Sequence, residues 1–203
     1  MLSWRSSVVR ESVLEAFTEK GFLLSKEVAH WRAPGREDFL QPRAGEVVSF
    51  LAFHERGLGH PAHWFLHGLL NEWGQELHHL NPTGVLYIAS FLTIYEAYLG
   101  MEPHTDLFRQ LFSRRTLLVG NLPEAAPVGG FALQKKPSAG GSYPVYIPYD
   151  SKWGWHGEWF YIRNQVEASF SAFIGRRSER QESWSWGPSH QEKKKVEIIV
   201  AEL

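Results

Sequence analysis

The sequence has no cysteine, and only three of its 203 residues are aspartate: Asp38, Asp106 and Asp150. The missing cysteine excludes disulfides, thiol nucleophiles, zinc ribbons and Cys-Cys-His-Cys zinc knuckles, and it fits a reducing compartment. No Gly-rich phosphate loop of the Walker type is present. The N-terminus carries no apolar run of signal-peptide type, so neither secretion nor a membrane partner is expected. Net charge is also nearly absent, at −1 with a pI near 6.8, so nothing draws the whole chain to nucleic acid or an anionic membrane.

Hydrophobic residues make up 43% of the chain and aromatics 14%, with nine tryptophans, which is ample material for a core and argues against disorder. Charge is uneven along the sequence. Residues 1–43 carry 7 basic and 6 acidic groups, residues 44–112 carry 2 and 7, and residues 113–203 carry 12 and 9. The middle is acidic and the last part basic.

The stretch NPTGVLYIASFLTIYEAYLG, residues 81–100, organises the rest. Asn81 is a favourable N-cap, Pro82 suits the first helical position, and Gly100 suits the left-handed residue after a helix. Between them only Ser90, Thr93 and Glu96 break a nearly all-apolar run, which predicts a helix buried inside the fold. Around it, residues 6–20 read as an amphipathic helix with Val9, Val13, Leu14 and Phe17 on one face. Residues 47–54 (VVSFLAFH) favour a strand. Pro61 is expected to open a helix ending at Gly74, and Pro103 a shorter one with Leu107, Phe108, Leu111 and Phe112 inward.

From residue 122 onward Pro and Gly become frequent and short alternating runs appear at 131–135, 143–148 and 158–163, which read as strands. Residues 176–191 read as a polar loop, and residues 193–203 as the start of a helix. The expected fold is α+β: a helical N-terminal layer around one buried central helix at about 82–99, then a small antiparallel sheet at about 129–164. The expected division is an N-terminal helix and lead-in at 1–30, a domain at 31–187 and a basic tail at 188–203.

The run FHERGLGHPAHWFLHGLLNEWGQELHHLNPTGVLYIASFLTIYEAYLGMEPH resembles the gypsy-type transposon (transposase-like) domain of plants. GGFALQ, GWHGEWFYIRN and SWSWG then resemble later blocks of that family in the same order, so the likeness spans roughly residues 31–187. It implies residence in, or descent from, a plant long-terminal-repeat retroelement, and with that an intracellular location, in the nucleus or the cytoplasm. It brings no catalytic residues, and in longer relatives helical or coiled-coil sequence follows the domain.

The residues do not supply the enzymes of such an element. A retroelement protease needs Asp-Thr/Ser-Gly, yet Asp106 precedes Leu107 and Asp150 precedes Ser151. A reverse transcriptase needs adjacent aspartates to hold two metal ions, and no two of these are adjacent. The His-His-Cys-Cys site of an integrase is impossible here. An Asp-Asp-Glu transposase triad could draw on Asp38, Asp106 and Glu158, but none closes a convincing buried parallel strand.

Four constellations remain. His63 and His67 stand four apart, the spacing that puts two imidazoles on one helix face for zinc. Asn71 continues that strip opposite Trp64, Phe65 and Trp73, so a solvated polar face is the simpler reading, and no metal or other cofactor is expected. His79, at the turn into the central helix, reads as a backbone-bonding residue rather than a base. Trp153, Trp155, Trp159, Phe160 and Tyr161 interleave with Lys152, His156 and Arg163. Exposed, they would stack unpaired bases, but alternation on strands would bury half of them. Trp184 and Trp186 would dock the tail. Arg114 with Arg115, Lys135 with Lys136, Arg176 with Arg177, and the Lys193, Lys194 and Lys195 run could track a phosphate backbone if they share a face.

The sequence thus predicts a non-catalytic module of a gypsy-type retroelement, or of a gene derived from one, with nucleic acid, protein or a second copy as partner. A nucleic-acid-binding, capsid-like (gag-type) protein is one alternative, and a transposase-type enzyme, resting on the family name alone, is the other.

Overall fold

The computed structural model describes residues 5–35, 37, 40–117, 128–139, 154–164 and 189–194. Its fold is α+β. Two two-stranded antiparallel sheets sit among helices, and no helix among the described residues is long and apolar enough to cross a membrane.

The first sheet pairs β1 (Glu46–Phe50) with β4 (Trp159–Arg163). Val47 faces Ile162, Val48 faces Tyr161, Ser49 faces Phe160 and Phe50 faces Trp159. Successive side chains of a strand point to opposite faces, so this register sends two sets of apolar groups in two directions. Val48, Phe50, Trp159 and Tyr161 join the larger core with the helices. Val47, Phe160 and Ile162 join a smaller one with Leu51, Val9, Leu14, Phe17, Leu23, Ala29 and Trp31. The ribbon is therefore buried on both faces, which explains a nearly unbroken apolar run where a one-faced strand would alternate.

The smaller core is closed by α1 (Glu11–Glu19) and α2 (Lys26–Ala29). The helix expected from residue 6 begins only at Glu11, because the chain before it is tied in extended form to the end of β4. Ser7 Oγ donates to the Trp159 carbonyl, and Val8 N–H to the Gly157 carbonyl. On the far edge of β4, Arg32 and Tyr161 exchange backbone hydrogen bonds of 2.9 and 3.1 Å. The Arg32 guanidinium lies 4.0 Å over the Tyr161 ring, binds both oxygens of Glu46 at 2.8 and 2.9 Å, and reaches Glu37 at 2.9 Å. Tyr161 Oη in turn donates to Glu37 at 2.6 Å. Burial alone would raise the Glu46 pKa, but the Arg32 bonds and the Arg43 N–H outweigh it and hold the carboxyl below its ordinary range.

Residues 47–54 are not one strand. After Phe50 the chain turns into α3 (Leu51–His54), with the Leu51 N–H still bonded to the Glu158 carbonyl. Next come α4 (Trp64–Trp73), a 3-10 turn at Leu77–His79, and α5 (Pro82–Leu92). The Asn81 side chain accepts the Gly84 N–H at 2.7 Å, as an N-cap should. The helix then widens into a π-helical turn, Thr93–Tyr98, and stops at Gly100 with φ +57°.

The central helix departs from expectation on one side. Val85, Ile88, Phe91 and Tyr95 are buried, but Thr93, Glu96, Ala97 and Tyr98 are exposed, Tyr98 at 80%. Its apolar length comes from one inward face plus half-covered flanks. The inward face meets α4 and α6 (Thr105–Leu111) at three rings: Phe65 stacks on Phe91 at 5.4 Å, while Phe108 meets each edge-on at 5.7 and 5.0 Å.

The second sheet pairs β2 (Phe112–Thr116) with β3 (Phe131–Lys135). Here the structure corrects the expected sheet at 129–164. The strands at 131–135 and 159–163 exist, but each pairs with an earlier strand instead of the other. Alternation along a strand reveals its faces and not its partner. The expected strand at 143–148 lies outside the described residues. Near the C-terminus, residues 190–194 form a helical turn; Ser189 and Glu192 cap it reciprocally, and Glu192 lies 3.4 Å from His104 Nε2.

Removing the Phe91 ring should leave the Phe65 and Phe108 faces without a partner. Phe91→Ala is expected to lower unfolding free energy by about 3–5 kcal/mol in urea melts. The Arg32 cluster keeps some solvent contact, with side-chain exposures of 15% for Arg32 and 11% for Glu46. Arg32→Ala should therefore cost roughly 2–3 kcal/mol, less than the loss of one partner from a fully buried ion pair. A cost under about 0.5 kcal/mol would place this cluster with ordinary surface pairs.

Candidate functional site

The two histidines at zinc-like spacing do not share a helix face. α4 begins at Trp64, and His63 is its N-cap: Nδ1 accepts the Phe65 N–H at 3.1 Å, while Nε2 lies 2.9 Å from Glu96. His67 is inside the helix and only 4% exposed, so the expected solvated strip of His63, His67 and Asn71 is broken at its middle. Pro61 does not open the helix. The chain stays extended through His63, and that delay moves the frame. Burial pushes His67 down to about 4, with the Ala62 backbone opposing and His63 adding to the fall. Among the described residues no three of His, Asp or Glu gather as metal ligands would.

At the turn into α5, His79 Nδ1 accepts the Glu76 N–H at 3.1 Å, while the Glu76 side chain takes the His79 N–H. The ring's work here is to close the turn. Of the carboxylates considered for a triad, Asp106 is exposed in the first turn of α6, Glu158 precedes β4, and Asp38 lies outside the described residues.

A pair that the sequence reading missed lies between β1 and α3. Ser49 Oγ and His54 Nε2 are 2.9 Å apart, the distance of a serine nucleophile and its base. Both are nearly sealed, at 2% and 4% exposure, and burial, then His60, brings His54 down to about 3, with the Leu58 backbone opposing. The adjacent cavity measures about 20 Å³. It holds something the size of a water, and no carboxylate lines it to orient the imidazole. The pair ties the strand end to the helix. Its only sequence signal is a Ser and a His five apart, which means nothing until the strand-to-helix switch at Leu51 is known.

The aromatic stretch is core. Trp155, Trp159, Phe160 and Tyr161 are 7%, 1%, 0% and 0% exposed. Trp155 meets Phe50 edge-on at 5.0 Å and Phe53 at 5.4 Å, and His156 stacks on it at 4.1 Å. Gly129, at φ +71°, approaches so closely that a Cβ there would lie 2.5 Å from the ring. Trp155 therefore offers no face to an unpaired base. Lys152, Trp153, Arg176, Arg177, Trp184, Trp186 and Lys195 lie outside the described residues. Arg163 is exposed at the end of β4, across from Glu46 and far in sequence from the other basic pairs.

Of the remaining basic candidates, Lys193 and Lys194 are exposed on the helical turn at 190–194, and the other four come together at the second sheet. Arg114 lies across from Leu133 and Arg115 across from Ala132; both are exposed and leave opposite sides of the ribbon. Lys135 lies across from Phe112, and Lys136 follows, with its N–H on the Leu111 carbonyl at 2.8 Å; both lysines are partly exposed. Neither strand contains an Asp or Glu. One turn earlier, Arg109 is paired with Glu72 and faces Asp106 at 4.0 Å, so its charge is already engaged. The ribbon thus gathers four positive charges within two short strands and the residue that follows them, at the end of an otherwise acidic helical segment.

Residues 47–116 match the family described as "Putative gypsy type transposon". The match runs from β1 to the last residue of β2, a shorter span than the resemblance over 31–187. No curated protein and no solved structure matches the chain. Residues 47–116, the strands and helices from β1 through β2, are therefore the part of this chain that is similar to the gypsy-type transposon family.

Proposed function

We propose that this protein is a non-catalytic module of plant gypsy-type retroelement descent that works inside the cell by contact, with the β2–β3 ribbon as its nucleic-acid surface. One observation carries this reading: Arg114, Arg115, Lys135 and Lys136 occupy a two-stranded ribbon whose strands hold no carboxylate. Guanidinium and ammonium groups on such a ribbon suit phosphates, and among the described residues Trp31, Trp155 and Trp159 are buried and offer no face for stacking. Contacts of this kind are sequence-tolerant, as a capsid-like coat requires. The transposase alternative has no comparable support, since the nominated carboxylates are scattered.

Fluorescence anisotropy with single-stranded RNA and duplex DNA, at low and moderate salt, tests the reading. Binding should weaken steeply with salt. The Arg114→Ser/Arg115→Ser double variant should lower the log–log salt slope by about 0.7 per lost contact on a single strand and about 0.9 on duplex. Its melting curve should match that of the parent protein, because both side chains are exposed. An absence of binding at low salt, or binding unchanged in the double variant, would overturn the assignment of the ribbon.

A further inference from the structure

The cavity of about 20 Å³ beside His54 lies behind the turn at residues 57–62. It is lined by Ser49 from β1, His54 from α3, His60 and Ala62 from the turn, and Arg163 and Asn164 from the end of β4. A polar cavity needs roughly 10–15 Å³ and two to four polar partners to hold a water. Two partners stand ready. His54 Nδ1 and His60 Nε2 are both buried without a well-aligned hydrogen bond to a described residue, although the Leu58 backbone is a polar group close to the His54 ring. With Ser49 donating to His54 Nε2, the neutral ring carries its proton on Nδ1, so one edge of the cavity offers a donor.

We propose that this cavity binds a single water bridging His54 Nδ1 and His60 Nε2, and that the bridged pair is an acid-sensitive clasp on the turn at residues 57–62. The charge around it gives the clasp its direction. The titratable and charged groups lining the cavity are His54, His60 and Arg163; Glu55 and Arg56 follow His54 in sequence but do not line it. A proton arriving on either imidazole meets a second imidazole and a guanidinium, with no carboxylate to receive it. Burial accordingly holds both rings below the usual histidine range, His54 with His60 as a further cause.

The sign follows from linkage. Both rings are neutral when the turn is closed and take up protons once it opens to water. Closure is therefore fully stable above about pH 6.5 and weakens as pH falls below it, by up to tenfold in the opening equilibrium per pH unit for each ring. The turn is held by few bonds. The Gly57 N–H reaches the His54 carbonyl at 3.1 Å, and the Leu58 N–H the Phe53 carbonyl at 2.9 Å. At Gly57, φ is +91° and Ala89 Cβ would lie 2.8 Å from an added Cβ, so the turn sits directly against α5.

Amide exchange on the full chain reads the clasp. Protection factors at Gly57 and Leu58 should fall about tenfold per pH unit between roughly pH 6 and pH 4, relative to the buried α5 amide of Ile88. His60→Gln, which keeps a polar side chain at a partly exposed position, should remove the share of that dependence due to His60 and leave at most about tenfold per pH unit from His54. Because His54 is packed in the core, the second measurement uses the unaltered protein: proton–nitrogen spectra of the rings should show His54 neutral at about pH 5.5 and His60 titrating below the usual midpoint. A high-resolution crystal structure should place one water on both ring nitrogens. Rings that titrate near the unperturbed value, protection at Gly57 and Leu58 that merely follows Ile88, or a cavity without a bridging water would each overturn the clasp.

Discussion

The structure depends on a two-stranded ribbon that must be covered on both faces. Val48, Phe50, Trp159 and Tyr161 need the helical layer, and Val47, Phe160 and Ile162 need the N-terminal layer. Neither layer is complete without the ribbon. Such a short pair of strands has little stability alone, so its persistence comes from burying large rings on each side. Arg32 seals the one edge where polar groups gather, reading both oxygens of Glu46 while its flat face covers Tyr161. The edge is thus closed by a group that bonds the backbone, the carboxylates and the ring at once.

The helical layer uses the same economy with aromatic rings. Phe65, Phe91 and Phe108 come from three helices and meet at one point, which fixes the helices' relative placement more tightly than aliphatic contacts would. At the π-helical turn after Leu92, Phe91 and Tyr95 stack at 4.1 Å, and beyond Tyr95 the half-buried Leu99 returns to the core while Glu96, Ala97 and Tyr98 face outward. The exposed Glu96 is then within reach of His63, which joins the far end of α5 to the start of α4.

What could be read from the sequence was local and periodic. Asn81–Pro82 announced the start of α5, the alternation of FALQK and WFYIR announced strands, and Trp155 and Trp159 were better read as core than as a stacking surface. What could not be read was anything that depends on a long-range partner. The pattern at 131–135 shows a strand and cannot show that its neighbour is 112–116. The Ser49–His54 contact needs the switch from strand to helix at Leu51, and VVSFLAFH is equally apolar on both sides of that point. The His63–His67 spacing misled because it assumed that the helix starts at Pro61, and three residues of delay move one ring to the cap and the other into the core.

The family segment at 47–116 begins with β1 and ends with β2, and neither strand finds its partner inside it. β1 pairs with residues 159–163 and β2 with residues 131–135, so the segment alone would present two unpaired strand edges, an arrangement that proteins avoid. It would also lose Trp155, Trp159 and Tyr161, which fill the larger core between Phe50, Phe53 and the helices. The basic ribbon makes the same point. Arg114 lies within the matched segment, but it gains a basic neighbour on its own face of the ribbon only when β3 brings Lys135 across from Phe112. The structural unit is therefore larger than the family match, and any contact surface built on β2 belongs to the larger unit.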